Sequence, residues 1–96
     1  MFKIVEKREL NTQVTLMKIE APLVAKKALP GQFIIFRIDE YGERIPLTIA
    51  DYDREEGTVT IIFQKVGRST KMLGEMEVGD SILDFAGPLG TASHLD

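Results

Sequence analysis

The sequence predicts an all-β domain, a closed barrel of six short antiparallel strands with one short helix. Segments rich in β-branched and aromatic residues recur along the chain, and turn residues separate them at regular intervals. A helix start signal follows Gly67. With 96 residues, the chain has room for one small domain and little space for a second.

The first two strands lie on either side of a turn at Asn11 and Thr12. An apolar segment begins at Phe2 and becomes polar over residues 7–9. Residues 14–19 then alternate in side-chain direction until Pro22 ends the second strand. Residues 21–29 are less regular, and both a short helical turn and an extended loop fit them.

The next three strands are separated by strong turn signals. Pro30 and Gly31 stand in the order that a type II turn prefers, and a strand follows over residues 32–38. A polar hairpin turn at 39–43 leads into a strand at 45–52, where Pro46 is tolerable only at the start or at a sheet edge. A charged loop at 53–57 precedes the strongest strand signal, residues 58–66.

The predicted helix lies between the fifth and sixth strands. Ser69 or Thr70 can serve as its N-cap, and the helix is expected from about residue 71 to 76, although Gly74 weakens the signal. Residues 78–80 turn the chain into a last strand at 81–86. A glycine- and proline-rich segment, residues 87–90, ends that strand.

Composition excludes several classes of function. A net charge of −3 and a pI near 5.1 argue against nucleic acid as the main partner. The absence of cysteine excludes disulfides and thiolate metal sites, and the single histidine, His94, excludes a histidine-rich metal site. No apolar run is long enough for a membrane span or signal peptide, so we expect a soluble, cytoplasmic protein.

Two local patterns suit a flavin dinucleotide. The strand that ends near Thr48 can offer a flat wall and a hydroxyl to an isoalloxazine ring. The turn at Gly67 opens a helix whose first amides have no partner inside the helix, so they can donate to a pyrophosphate. The order and spacing of the two patterns are compatible with one ligand that contacts both.

Five short motifs make the chain resemble a known family. The motifs are, in order, Pro30-Gly31-Gln32-Phe33, Ile45-Pro46-Leu47-Thr48, Gly67-x-Ser69-Thr70-x-x-Leu73, Gly79-Asp80 and Gly87-Pro88-Leu89-Gly90. Together they resemble the FAD-binding barrel of the ferredoxin–NADP reductase superfamily. Within it, the chain is most similar to electron-transfer subunits of dihydroorotate dehydrogenase and to alpha subunits of NADH-dependent ferredoxin:NADP oxidoreductase (sulfide dehydrogenase type). The resemblance implies a six-stranded Greek-key barrel.

The resemblance also implies a function. It suggests the FAD-binding module of an NAD(P)H-dependent oxidoreductase that passes electrons between a nicotinamide nucleotide and an iron–sulfur acceptor. Relatives continue into an NAD(P)-binding domain and a [2Fe–2S] segment, so residues 1–96 are expected to be the flavin-binding part of a larger protein. That protein would work with a larger oxidoreductase subunit in a heteromeric complex, and this chain alone should not turn over NAD(P)H.

By resemblance, Thr48 is the residue closest to the chemistry. Its hydroxyl corresponds to one that approaches flavin N5, where it can donate or accept a hydrogen bond. Pro46 and Leu47 would form the wall beside the ring, with Leu47 in a place where many relatives have an aromatic residue. Without the neighbouring motifs, all three would be ordinary strand and packing residues.

The pyrophosphate is assigned to two places. Gly67, Ser69 and Thr70 would bind it through backbone amides at the helix start, where the alternative is plain helix capping. Arg44 stands one residue earlier than the arginine of relatives. In a regular strand this offset reverses the side-chain direction, so Arg44 binds phosphate only if a bulge or Pro46 re-aims it.

Three further residues border the flavin and its ribose in relatives. They are Ile62, Phe63 and Gln64, and core packing is an equally good interpretation of Phe63. Two other functions stay open for the whole chain: a β-barrel binding module without redox chemistry, such as an oligonucleotide-binding barrel, and a domain that only docks another subunit. The acidic charge disfavours the first of these.

Overall fold

The computed structural model describes residues 2–90, a part of the chain that contains seven strands and two short helices. His94 lies outside the described residues. The elements are β1 (Phe2–Glu9), β2 (Val14–Glu20), α1 (Pro22–Lys27), β3 (Phe33–Arg37), β4 (Ile45–Asp53), β5 (Thr58–Gln64), α2 (Arg68–Glu75), β6 (Ser81–Ile82) and β7 (Asp84–Leu89).

The strands form one antiparallel sheet in the order β6-β1-β2-β5-β4-β3-β7. Strands β3, β4 and β5 are joined by hairpins, and β2 lies beside β5 rather than beside β3. Three consecutive strands with an earlier strand placed next to the last one make a Greek key. The all-β prediction and the Greek-key order are therefore confirmed.

The predicted count of six strands is wrong by one, because the last predicted strand is two strands. Residue Leu83 interrupts it, and its amide donates to the carbonyl of Ile38 at 3.2 Å. Before the interruption β6 pairs with β1, and after it β7 pairs with β3. This single segment therefore bonds to both outer strands and brings the sheet to near closure. It also runs on to Leu89, past the predicted end at residue 86.

The core fills the space inside the sheet. In β2 the inward residues are Thr15, Met17 and Ile19, each fully buried, while the alternate residues are half-buried. Burial of Thr15 is possible because its hydroxyl donates to the Glu9 carboxylate at 2.9 Å. The other buried apolar residues are Ile4, Ala21, Val24, Ala25, Ala28, Ile34, Phe36, Ile49, Val59, Ile61, Phe63, Leu73, Ile82 and Phe85.

The two helices lie in the connections between strands. Residues 22–27 adopt the helical alternative left open for this segment, with Val24 and Ala25 buried. Helix α2 begins at Arg68, earlier than expected, and its N-cap is Gly67 rather than Ser69 or Thr70. The reason is that the Thr70 hydroxyl accepts a hydrogen bond from the Gly67 amide at 2.9 Å. This bond stabilises a first turn that begins at Gly67, before Ser69 and Thr70.

The turns agree with the local signals. Gly31 has a φ of +85°, as a type II turn requires after Pro30. Asn11 accepts hydrogen bonds from the amides of Gln13 and Val14 through its side chain, which fixes the first hairpin. Neither helix within residues 2–90 combines the length and apolar character that crossing a bilayer demands.

Candidate functional site

The outer face of β4 carries the first part of the candidate site. Pro46 and Thr48 are exposed, whereas Ile45, Leu47 and Ile49 alternate with them and face the barrel interior. Pro46 lies at the start of β4, where only β3 pairs with it, so its missing amide leaves no gap in the β4–β5 ladder. Thr48 thus presents its hydroxyl beside a flat proline ring.

A shallow depression of about 430 Å³ lies over this strand. We call it the Thr48 depression, and its lining residues are Gly31, Phe33, Pro46, Leu47 and Thr48. Phe33 lies directly opposite Thr48 in the β3–β4 register, so the two residues are cross-strand neighbours. The side chain of Leu47 is half-buried and packs against the core, although the residue borders the depression. Pro46 therefore forms more of the exposed wall than Leu47.

The start of helix α2 carries the second part of the site. Lys71 donates the first intrahelical hydrogen bond, to the Gly67 carbonyl at 2.9 Å. The amides of Arg68, Ser69 and Thr70 precede that bond and have no acceptor inside the helix. The Thr70 hydroxyl is used within the turn, since it accepts from Val66 and Gly67 amides and donates to the Gly67 carbonyl. Thr70 can therefore offer a ligand its amide.

Gly67 has a feature that packing does not explain. Its φ is −116°, which any residue adopts, and an added Cβ would meet only the Thr70 hydroxyl, at 3.7 Å. Neither backbone conformation nor neighbouring atoms require glycine there. A ligand that approaches the backbone closely would require it, and this agrees with a pyrophosphate at these amides.

A second depression, of about 310 Å³, lies at the helix start. We call it the helix-start depression, and its lining residues are Glu43, Ile45, Val66, Gly67, Arg68, Ser69 and Thr70. Ile45 lines this depression, and Pro46, the next residue, lines the Thr48 depression. Three strand residues, about 10 Å, separate Ile45 from Thr48. The two depressions therefore border neighbouring residues at the start of β4.

Arg44 is directed toward another strand. Its guanidinium lies 3.9 Å from the carboxylate of Asp84 on β7, and it is absent from the lining of both depressions although Glu43 and Ile45 line the second. Arg37 binds the same Asp84 oxygen more closely, with its Nε at 2.8 Å. The role of Arg44 at the pyrophosphate stays a prediction that would require this ion pair to break.

The three residues predicted at the end of β5 face different sides of the sheet. Ile62 and Gln64 are exposed on the outer face, and Phe63 is 3% exposed in the core. The side chain of Phe63 therefore packs inside the barrel, in line with the packing alternative. Contacts of Ile62 and Gln64 with a ligand stay predictions.

Several lining residues were not singled out from the sequence. Gly31 and Phe33 belong to the Thr48 depression, and Glu43, Ile45 and Val66 belong to the helix-start depression. The motif at residues 30–33 was a usable signal for the first two, because it is one of the five in the family resemblance. Ile45 opens the second of these motifs, whereas Glu43 and Val66 carry no local signal, since they meet only when β4 and α2 are packed together.

Comparisons with known proteins identify the family of this chain. Residues 1–94 match the sequence model of a family described as oxidoreductase FAD-binding domain. A protein of Clostridium beijerinckii, described as an uncharacterized protein in the adh 3′ region, is 62% identical over 94 residues, which cover 98% of this chain and 32% of that protein. A Thermotoga maritima homolog of the dihydroorotate dehydrogenase B (NAD(+)) electron transfer subunit is 44% identical over 94 residues, which cover 98% of this chain and 33% of that protein.

A solved structure extends the comparison to three dimensions. It belongs to an NADH-dependent reduced ferredoxin-NADP oxidoreductase described in connection with flavin-based electron bifurcation. It is 44% identical, superposes with a TM-score of 0.96 and covers 98% of this chain and 34% of that one. This chain spans about a third of the length of these relatives. By its sequence and its barrel, the chain belongs to the oxidoreductase FAD-binding domain family, of the ferredoxin–NADP reductase type, whose cofactor is FAD.

Proposed function

We propose that this domain binds FAD across two adjacent depressions and serves an NAD(P)H-dependent electron-transfer oxidoreductase. The isoalloxazine ring would lie on the outer face of β4, and the pyrophosphate at the amides after Gly67. The observation that supports this most is that consecutive residues, Ile45 and Pro46, border the two depressions. The family match makes a barrel without redox chemistry the weaker interpretation.

In this proposal the protein orients the ring and adjusts its hydrogen bonds. When bound, FAD supplies the conversion between two-electron hydride transfer and single-electron transfer. Thr48 would hold a hydroxyl at N5, donating or accepting according to the protonation of that atom. Pro46 and Phe33 would cover apolar ring surface and exclude water from one side.

The helix start would neutralise part of the phosphate charge. Free amides of Arg68, Ser69 and Thr70 point out of the first turn, and the helix dipole places partial positive charge there. Arg68 adds a full positive charge to the lining of the same depression. Gly67 would let the phosphate oxygens come close to the backbone.

The intact protein would receive reducing equivalents from a nicotinamide nucleotide and deliver electrons to an iron–sulfur centre. Support comes from the relatives, which are named as an electron transfer subunit homolog and a ferredoxin-NADP oxidoreductase. We assign both of those groups, and a larger oxidoreductase partner, to parts outside residues 1–96. We also place the protein in the cytoplasm, a reducing compartment with which the lack of cysteine in residues 1–96 is compatible.

Flavin titration tests the proposal. The purified chain is mixed with FAD, and flavin fluorescence and the thermal unfolding midpoint are recorded. Ligand binding to the folded state should add about 2.7 kcal/mol at a free FAD concentration 100-fold above Kd. A chain that unfolds at the same temperature with and without FAD, and leaves its fluorescence unchanged, would refute the proposal.

A further inference from the structure

Gln32 lies at the start of β3, beside the Thr48 depression, and the proposed site assigns its side chain no role. The residue is half-buried and does not line the depression, although its two chain neighbours, Gly31 and Phe33, do. Both backbone groups of Gln32 and both ends of its side-chain amide are hydrogen-bonded to other residues. These four bonds connect three separate parts of the chain.

The first part is the turn that precedes β3. The Gln32 amide donates to the Leu29 carbonyl at 3.3 Å, the bond that closes a β-turn through Pro30 and Gly31. The side-chain oxygen of Gln32 accepts from the Leu29 amide at 2.9 Å, so the turn is closed a second time. Gln32 therefore fixes Gly31, which lines the Thr48 depression.

The second part is β4. The Gln32 carbonyl accepts from the Ile49 amide at 2.9 Å. Ile49 directly follows Thr48, which lies opposite Phe33 in the β3–β4 register. The backbone of Gln32 therefore fixes β4 immediately after the residue whose hydroxyl is assigned to the flavin.

The third part is the end of β7. The side-chain nitrogen of Gln32 donates to the Gly90 carbonyl at 3.0 Å. Gly90 packs on the ring of Phe33, since a Cβ added to Gly90 would lie 2.9 Å from the Phe33 Cε1. The β3–β7 ladder shifts register between Phe33 and Ile35, so it is irregular at this end. The bond from Gln32 holds Gly90 against Phe33 where the ladder is irregular.

The two partners of the side-chain amide determine its direction. The Leu29 amide only donates and the Gly90 carbonyl only accepts, so the oxygen of Gln32 faces the turn and its nitrogen faces the end of β7. A glutamate carboxylate would keep the first bond and lose the second, and a methionine would lose both.

We infer that Gln32 is a positioning residue for the flavin. Its side-chain amide joins the turn at Gly31 to Gly90 and thereby fixes the Phe33 edge of the Thr48 depression, so it acts on the ring through Gly31 and Phe33. This inference rests on the proposed function, because it requires the ring to lie at Thr48. A side chain that only stabilised the turn would affect unfolding and leave the bound flavin unchanged.

The test compares Gln32→Met, which removes both side-chain bonds, with Gln32→Glu, which removes only the bond to Gly90. Gln13→Glu, at an exposed position before β2, controls for the added charge. Hydrogen exchange of the Leu29 amide and urea unfolding are measured without flavin. Kd for FAD and the visible absorption band of bound FAD, whose fine structure reports shielding of the ring from water, are measured for each variant.

We expect the two variants of Gln32 to differ at Leu29 and to agree at the flavin. Leu29 exchange should be about 5-fold faster in Gln32→Met and unchanged in Gln32→Glu. Kd for FAD should rise about 10-fold in both, with loss of fine structure at saturating FAD, and stay at the wild-type value in Gln13→Glu.

Two results would overturn the inference while leaving the proposed function intact. One is a wild-type Kd and absorption band in Gln32→Met, even if that variant unfolds more easily. The other is wild-type behaviour of Gln32→Glu toward FAD, which would show that the bond to Gly90 does not position the ring. A wild-type chain that binds no FAD would overturn both the inference and the proposed function.

Discussion

At the scale of single residues, side-chain direction decides which predicted residues reach a ligand. Thr48 and Pro46 face outward, and Leu47 between them faces the core. The same alternation buries Phe63 and exposes Ile62 and Gln64. A strand can therefore contribute every second residue to a ligand through its side chain, and the residues between them through the backbone alone.

Removal of the Thr48 hydroxyl tests its contact with the flavin. Thr48→Val keeps the size of the side chain and removes one hydrogen bond, so Kd for FAD should rise about 2- to 10-fold. Thr48→Ser keeps the hydroxyl and should bind FAD as the wild type does. Equal affinity of Thr48→Val and wild type, measured by fluorescence titration, would show that the hydroxyl does not contact the ring.

Glu9 provides a prediction on pH. The hydrogen bond from Lys65, at 2.7 Å, and the one from Thr15 hold the pKa of Glu9 below its usual value of 4.5. A carboxyl whose pKa is lower in the folded state stabilises the protein at pH values above its pKa in the unfolded state. This stabilisation disappears as the pH falls through the pKa of the folded state. The stability advantage of wild type over Glu9→Gln should therefore shrink from about pH 6 to about pH 3 in urea unfolding. A constant difference would contradict it.

At the scale of elements, helix α2 is attached to the barrel near its C-terminal end. Lys7, whose side chain is 13% exposed, donates to the Gly74 carbonyl at 2.8 Å. The stem of Lys65 packs against Gly74, since a Cβ added to Gly74 would overlap the Lys65 Cδ. These contacts hold the helix that presents the amides after Gly67, so two lysines on strands and loops orient the phosphate-binding turn.

A double-mutant cycle tests the packing of Lys65 on Gly74. In a Lys65→Ala background, Gly74→Ala should stabilise the protein by up to about 1 kcal/mol, because alanine favours the helix. In the wild-type background Gly74→Ala should stabilise the protein less, or destabilise it, because the Lys65 side chain and its ion pair with Glu9 must move to make room. Equal effects in both backgrounds, measured by chemical unfolding, would show that the contact is unimportant.

At the scale of the whole molecule, one segment closes the barrel. β6 pairs with β1 and β7 pairs with β3, and Ile82 and Phe85 on either side of Leu83 are buried. This closure covers the edge strands, which would otherwise expose unpaired backbone groups. It also fixes β3, whose Phe33 lines the Thr48 depression.

Shortening of side chains in β6 and β7 tests whether this segment stabilises the barrel. Ile82→Ala removes a fully buried side chain and should lower the free energy of unfolding by about 2–5 kcal/mol. Leu89→Ala, at a residue 36% exposed on β7, should cost much less. Similar losses for the two variants in urea unfolding would mean that β6 contributes little to closure.

The sequence by itself predicted the all-β class, nearly all element positions, the family and the two parts of the site. These features depend on local signals: β-branched alternation, turn residues such as Gly31, and a glycine before a helix. The resemblance was available for the same reason, because each motif is a short contiguous segment. The errors were local too: the N-cap of α2 was predicted at Ser69 or Thr70 but is Gly67, and the helix begins at Arg68 instead of about residue 71.

Only the tertiary structure decided what each strand faces and which distant residues meet. The alternation in β2 did not say whether Thr15 or Leu16 would be buried, because both faces carry plausible core residues. The break at Leu83 depends on β1 and β3, the two partners of the last segment, and the ion pair of Arg44 depends on Asp84, 40 residues along the chain. The helix-start depression exists only after β4, its preceding loop and α2 pack together, since contacts between distant segments leave no local pattern.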